Sequence, residues 1–180
     1  MLATYLALLR GINVGGKNKL PMTGLIDIFS QAGCHDVRTY IQSGNVIFST
    51  DSDLAAPLPG RITAQIAERF GYRVPMIVRT TTQIGEVIRN NPFVAQGIAE
   101  DTLHVLFLAD QPGAHSVEGL DPGRSSPDAF IVRDQEVYLH LPNGAARTKL
   151  TNDYFDTKLA TTSTGRNWRT VTTLFTLMEG

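Results

Sequence analysis

Apolar runs separated by glycine-, proline- and asparagine-rich stretches divide the chain into short elements. Thr4 to Leu9 is a continuous apolar run ending at Arg10-Gly11, and it predicts a buried first strand. Residues 10–20 form a long Gly/Asn/Lys connection. Pro21 then opens a helix whose Leu25, Ile28, Phe29 and Ala32 share one face, and Gly33 is its C-terminal stop. Val37 to Gln42 and Asn45 to Thr50 read as strands joined by a turn at Ser43-Gly44. Asp53 to Gly60 is a proline-containing helix entry. Ile62, Ile66 and Phe70 then recur every four residues up to Gly71, and Val74 to Thr80 predicts a fourth strand. The order strand, helix, hairpin, helix, strand is the β-α-β-β-α-β unit of ferredoxin-like folds.

The second half repeats the pattern less completely. A helix carrying Ile84, Val87 and Ile88 is stopped by Asn90-Asn91-Pro92, and Thr102 to Leu108 is a strand. Gln111 to Leu120 is loop with one helical turn, and Asp121 to Asp128 is loop. Phe130 to Arg133 and Glu136 to Leu141 form a hairpin turning at Asp134-Gln135. Thr148 to Leu159 reads as helix, and Asn167 caps a last helix with Val171, Leu174, Phe175 and Met178 on one face. The expected fold is therefore α+β. It combines a ferredoxin-like unit over residues 1–80 with a second, degenerate ferredoxin-like half over residues 81–180 that ends in helix rather than strand.

Composition narrows the class. The chain has 180 residues, 42% of them apolar and 18% charged, which suits a globular domain with a real core. No apolar run has the ~20 residues that span a bilayer, so no membrane role is expected. No basic leader or cleavage site is visible, and Cys34 is a lone cysteine; both predict a cytoplasmic protein without disulfides. The net charge of -1 argues against bulk attraction to a long polyanion. That charge is uneven: nine Lys or Arg face six Asp or Glu in residues 1–90, and seven face eleven in residues 91–180.

Two polar regions carry the excess cations. The first, Arg10 to Lys19, holds Gly11, Asn13, Gly15 and Gly16 and no acidic residue. Glycines at positive φ expose backbone N–H groups, so such a loop suits an anion. Gly11 to Lys17 also spells the G-x-x-x-x-G-K of a P-loop, but Asn18 stands where a Mg²⁺-binding hydroxyl is needed, and Leu20-Pro21 separate the lysine from the helix. The second region, residues 142–169, sets Arg147, Lys149, Lys158, Arg166 and Arg169 against Asp153 and Asp156. Within it Lys149, Asn152, Arg166 and Asn167 suit phosphate or carboxylate, with Trp168 as a stacking ring or a core residue. At the first hairpin, Gln42, Ser43 and Asn45 offer orienting hydrogen bonds.

Catalytic signals are missing. The four histidines, His35, His104, His115 and His140, lack metal-ligand spacing, and Cys34 sits at a helix end that does not activate a thiol. No metal and no cofactor is expected, and an enzyme acting on a phosphorylated ligand ranks below simple binding, the absence of a catalytic motif weighing against it. The leading reading is binding of a small phosphorylated or carboxylated ligand. The alternatives are RNA binding through a ferredoxin-like sheet, with Tyr5 and Phe48 stacking on bases, and a protein–protein adaptor.

Several strings bear on the family. Tyr5 to Gly16 with Lys19-Leu20-Pro21-Met22, Asp36 to Val46, Asn91-Pro92-Phe93, Lys149 to Asn152 and Arg166-Asn167-Trp168 together resemble the bacterial family called domain of unknown function 1697. Thr148, Gly165 and Arg169 depart from its pattern. The resemblance implies a compact α+β protein containing a ferredoxin-like unit and carries over no catalytic residue.

Overall fold

The computed structural model describes every residue from Met1 to Gly180. Its elements are, in chain order, β1 (Leu2–Leu9), α1 (Met22–Gln31), β2 (His35–Tyr40), β3 (Asn45–Asp51), α2 (Ser52–Ala55), α3 (Leu58–Phe70), β4 (Met76–Thr80), α4 (Thr81–Arg89) and α5 (Pro92–Ala95). A 3₁₀ turn at Glu100–Thr102 leads to β5 (Leu103–Leu108), α6 (Ala114–Glu118), β6 (Ala129–Arg133), β7 (Glu136–His140), α7 (Asn152–Leu159), β8 (Ser163–Asn167) and α8 (Trp168–Glu179). The class is mixed α+β, with two four-stranded antiparallel sheets ordered β2-β3-β1-β4 and β6-β7-β5-β8. No helix is long and apolar enough to cross a membrane.

The chain divides into two compact units. Unit 1 is Met1–Ile84 with Leu174–Gly180, and unit 2 is Gly85–Thr173.

In unit 1, Tyr5 to Leu9 are all buried, as the continuous apolar run requires of a central strand. Tyr5, Ala7 and Leu9 of β1 and Val46 and Phe48 of β3 make one face. Leu25, Ile28 and Phe29 of α1 and Leu58, Ile62 and Ile66 of α3 close over it. Tyr5 stacks on Phe48 with ring centroids 5.7 Å apart, and Phe29 tilts against Phe48 at 5.2 Å. α1 stops where the sequence demands: Gly33 adopts φ +92°, its N–H bonds the Ser30 carbonyl, and the Cys34 N–H bonds that of Phe29. That is the Schellman arrangement, which satisfies two end carbonyls through a left-handed glycine.

In unit 2, Leu106 and Leu108 of β5 and Val137 and Leu139 of β7 pack with Tyr154, Phe155 and Leu159 of α7. The registers of the two sheets coincide. Tyr5 of β1 lies opposite Phe48 and Thr80, and His104 of β5 lies opposite Leu139 and Asn167.

The largest departure from expectation is at the end of unit 2. Residues 163–167, read as a polar approach to a helix, form the strand β8 along β5. The second half therefore runs strand, helix, hairpin, helix, strand, the same series as the first. The segment Ser-Thr-Gly-Arg-Asn has no apolar alternation to reveal a strand; its pairing with β5 makes it one. The expected helix over Thr148–Leu159 begins only at Asn152, because the Thr151 hydroxyl accepts the Tyr154 N–H and fixes the start. The first hairpin strand runs His35–Tyr40 rather than Val37–Gln42, and the fourth strand begins at Met76 rather than Val74. Asn91 both ends α4's segment and opens α5, its side chain accepting the Phe93 N–H.

Candidate functional site

The Arg10–Lys19 loop is a small ordered hairpin. Gly15 and Gly16 take φ +57° and +74°, the Lys17 N–H bonds the Val14 carbonyl at 3.0 Å, and the Asn13 N–H bonds the Asn18 carbonyl at 3.1 Å. Two consecutive residues at positive φ are what a tight primed turn requires. The P-loop spelling therefore cradles no phosphate: Lys17 closes a hairpin, and α1 begins five positions later.

Asn13 holds this loop in place. At φ +53°, its Nδ2 donates to the carbonyls of Leu20 and Gln42, each at 3.0 Å, while its Oδ1 accepts the Leu20 N–H at 2.8 Å. The amide is thus engaged in tying the loop to the β2–β3 turn and is a scaffold rather than a ligand group. Asn18 adds a bond from Nδ2 to the Gly11 carbonyl. Tyr72 donates its hydroxyl to the Lys19 carbonyl at 2.7 Å. In the β2–β3 turn Asn45 is fully buried and donates to the Tyr40 carbonyl and the Ser43 hydroxyl. Ser43 and Asn45 thus shape the turn.

Against this clamp lies a groove of about 560 Å³ lined by Asn13, Gly16, Lys19, Gln42 and the residues 20–23 that open α1. Pro21 is the N-cap of α1, in extended conformation and with no side chain capping the helix. The first intrahelical bond is from Leu25 N–H to Pro21, so the amides of the first turn reach the groove without a protein cap. Lys19 stands beside them. Of the first-region residues, Asn13, Gly16 and Lys19 converge here with Gln42 of the first hairpin, while Arg10, Gly11 and Gly15 belong to the same loop but do not line the groove. The sequence signal for the missed members, Met22 and Thr23, was a helix start with no Ser, Thr, Asp or Asn at its cap.

The second-region residues lie in unit 2 around another groove, of about 440 Å³. Asn152, Arg166 and Asn167 line it with His104, Leu139 and Leu150. Alternation along β8 separates their side chains. Ser163, Gly165 and Asn167 face α7, where the Asn152 amide donates to the Ser163 hydroxyl at 2.8 Å. Thr164 and Arg166 face the other way, and the Arg166 guanidinium donates to the Thr164 hydroxyl and the Gly165 carbonyl. Burial lowers its pKa to about 10, which leaves it protonated at neutral pH. Arg166 therefore lines the groove through its backbone and does not present a cation to it.

Trp168 is buried, 2% exposed, so its ring is a core group and cannot stack on a ligand. Lys149 is exposed and lies outside the groove lining; its backbone accepts from Arg124 and donates to Ser125. Tyr5 and Phe48, the stacking residues of the RNA reading, are core residues in contact with each other. Burial pushes the Cys34 thiol up to about 11 against the pull of Arg61, which keeps it protonated and unreactive at neutral pH.

A family model described as a protein of unknown function, DUF1697, matches residues 2–138. No curated protein sequence matches the chain. Among solved structures, the conserved bacterial protein SP0830 from Streptococcus pneumoniae superimposes with a TM-score of 0.70 at 20% identity, covering 99% of this chain and 99% of that one. At that identity the likeness concerns the fold.

Proposed function

Because the chain belongs to the DUF1697 family, whose description carries no activity, we propose a function from its own surface: unit 1 binds a small phosphorylated or carboxylated anion in the groove at the start of α1. One observation carries this reading. The uncapped first turn of a ten-residue helix opens, beside Lys19, onto a groove whose walls are held by the Asn13 clamp. First-turn amides and the positive end of the helix dipole favour an anion by roughly 0.3–1 kcal/mol where exposed, and a lysine adds a point charge. We further infer a ferredoxin-like arrangement for each unit, supported by a spatial order of fourth, first, third and second strands in both sheets, and a cytoplasmic location, supported by a lone cysteine that forms no disulfide.

The test is calorimetric titration at low salt with inorganic phosphate, glycerol phosphate and malate. At least one is expected to bind, and Thr23→Asp is expected to abolish that binding. Thr23 is exposed in the first turn of α1, so a carboxylate there occupies the dipole and raises the melting temperature while it repels the ligand. Opposite signs for stability and binding separate this outcome from simple unfolding. Failure of all three anions to bind, or binding unaffected by both Thr23→Asp and Lys19→Ala, overturns the reading.

A further inference from the structure

The shared register of the two sheets allows a position-by-position comparison of their helix-covered faces. In unit 1 the end of the sheet at Tyr5, Phe48 and Thr80 is closed by flat rings: Tyr5 on Phe48, and Phe29 of the ten-residue α1 against both the sheet and Phe48. In unit 2 the same three register positions hold His104, Leu139 and Asn167. The counterpart of α1 is α6, with five residues, whose one ring, the His115 imidazole, is exposed to solvent. The aromatic cluster of unit 2, Phe130 with Phe155 and Tyr154, belongs to β6 and α7. The place occupied by stacked rings in one unit is thus a groove of about 440 Å³ in the other.

The polar groups on this groove have fixed orientations. Ser163 donates its hydroxyl hydrogen to Asp156 at 2.6 Å, so it must accept from Asn152, which identifies the Asn152 Nδ2 and leaves its carbonyl oxygen as an acceptor. Asn167 must accept the Thr170 N–H through Oδ1 at 2.8 Å, which leaves its Nδ2 as a donor. His104 has a buried Nδ1 with no hydrogen-bond partner of good geometry. Leu139, Leu141 and Leu150 supply the apolar wall.

We propose that unit 2 binds an uncharged planar heterocycle with an amide-like edge, of the nucleobase kind, in the groove over His104, Leu139 and Asn167. The ring takes the space that unit 1 fills with its own aromatics. The amide edge pairs its N–H with the Asn152 carbonyl and its C=O with the Asn167 amide. A neutral ligand is required because no cationic side chain enters the groove, Arg166 lying on the other face of the sheet. His104 is likewise neutral at pH 7: burial lowers its pKa below 6.5, outweighing the nearby Thr102 carbonyl.

The experiment is a titration of the full chain with uracil, adenine and indole, followed by NMR through the His104 ring and the Asn152 and Asn167 side-chain amides. Uracil, which carries the full edge, is expected to shift these signals saturably. Indole, which lacks the carbonyl, is expected to bind at least about tenfold more weakly. The double variant H104Y/L139F, which installs the residues of unit 1, is expected to fill the groove and abolish binding. Should that variant misfold, Asn167→Thr keeps a helix cap, as Thr80 does in unit 1, replaces the amide donor by a hydroxyl one bond shorter, and weakens uracil about tenfold. Absence of saturable shifts with uracil, indole binding as tightly as uracil, or Asn167→Thr leaving uracil affinity unchanged would overturn the proposal.

Discussion

Gly44 and Ala160 show how single positions set local stability in opposite directions. Gly44 takes φ +80°, and a Cβ there would lie 2.9 Å from both the Cβ and the carbonyl oxygen of Leu9. Backbone strain and the clash act together, so Gly44→Ala is expected to cost about 2–4 kcal/mol in chemical denaturation. Ala160 ends α7 at φ +52°, where a side chain is unfavourable and glycine is not. Ala160→Gly is expected to stabilise by about 1 kcal/mol, read as a higher melting temperature. His104 adds a pH dependence. Its folded pKa is lowered, so its contribution is complete above the unfolded value near 6.5. That contribution is lost as pH falls from there through the folded value. The slope of stability against pH below 6.5 should therefore flatten in His104→Phe relative to the parent chain.

At the scale of elements, the central strands carry the two cores and the edge strands do not. β1 and β5 are paired on both sides, and their Tyr5–Leu9 and Leu103–Leu108 stretches are almost wholly buried. β2 and β6 are paired on one side only, and the register of β2 shifts between His35 and Arg38. Amide hydrogen exchange is expected to be slowest at Leu6–Leu8 and Val105–Phe107 and fastest at His35–Val37 among the strands. Equal protection of central and edge strands would contradict this. Each sheet's last strand also runs straight into a capped helix: Thr80 and Gln83 exchange side-chain and backbone hydrogen bonds at the start of α4, and Asn167 caps α8.

Across the whole molecule, the hydrophobic pattern revealed most of the frame, because β1, β5, α1 and α3 bury continuous or periodic apolar faces. It missed β8, whose five residues have no apolar side chain, and with it the completeness of the second unit. The site was legible in its loops and not in its geometry. Glycines and asparagines between 10 and 19 marked a turn-rich segment, but one sequence cannot distinguish an Asn13 that clamps from one that binds ligand. Nor did the cations of residues 142–169 reveal that alternation turns Arg166 away from the groove. His104 stood out only as a polar residue within Leu-His-Val-Leu-Phe-Leu.

Two series of elements with one register in one chain raise the question of how each last strand finds its own sheet. Beside the central strand, unit 1 pairs Ala7 with Val78, and unit 2 pairs Leu106 with Gly165. A Cβ on Gly165 would meet Leu106 at 2.8 Å, so a valine cannot take that place without displacing the leucine. In the reverse exchange, glycine opposite Ala7 leaves a hole where Val78 belongs. The small-large and large-small pairs thus make each last strand complementary to its own central strand, the mismatch in unit 2 falling on the movable tip of the Leu106 side chain.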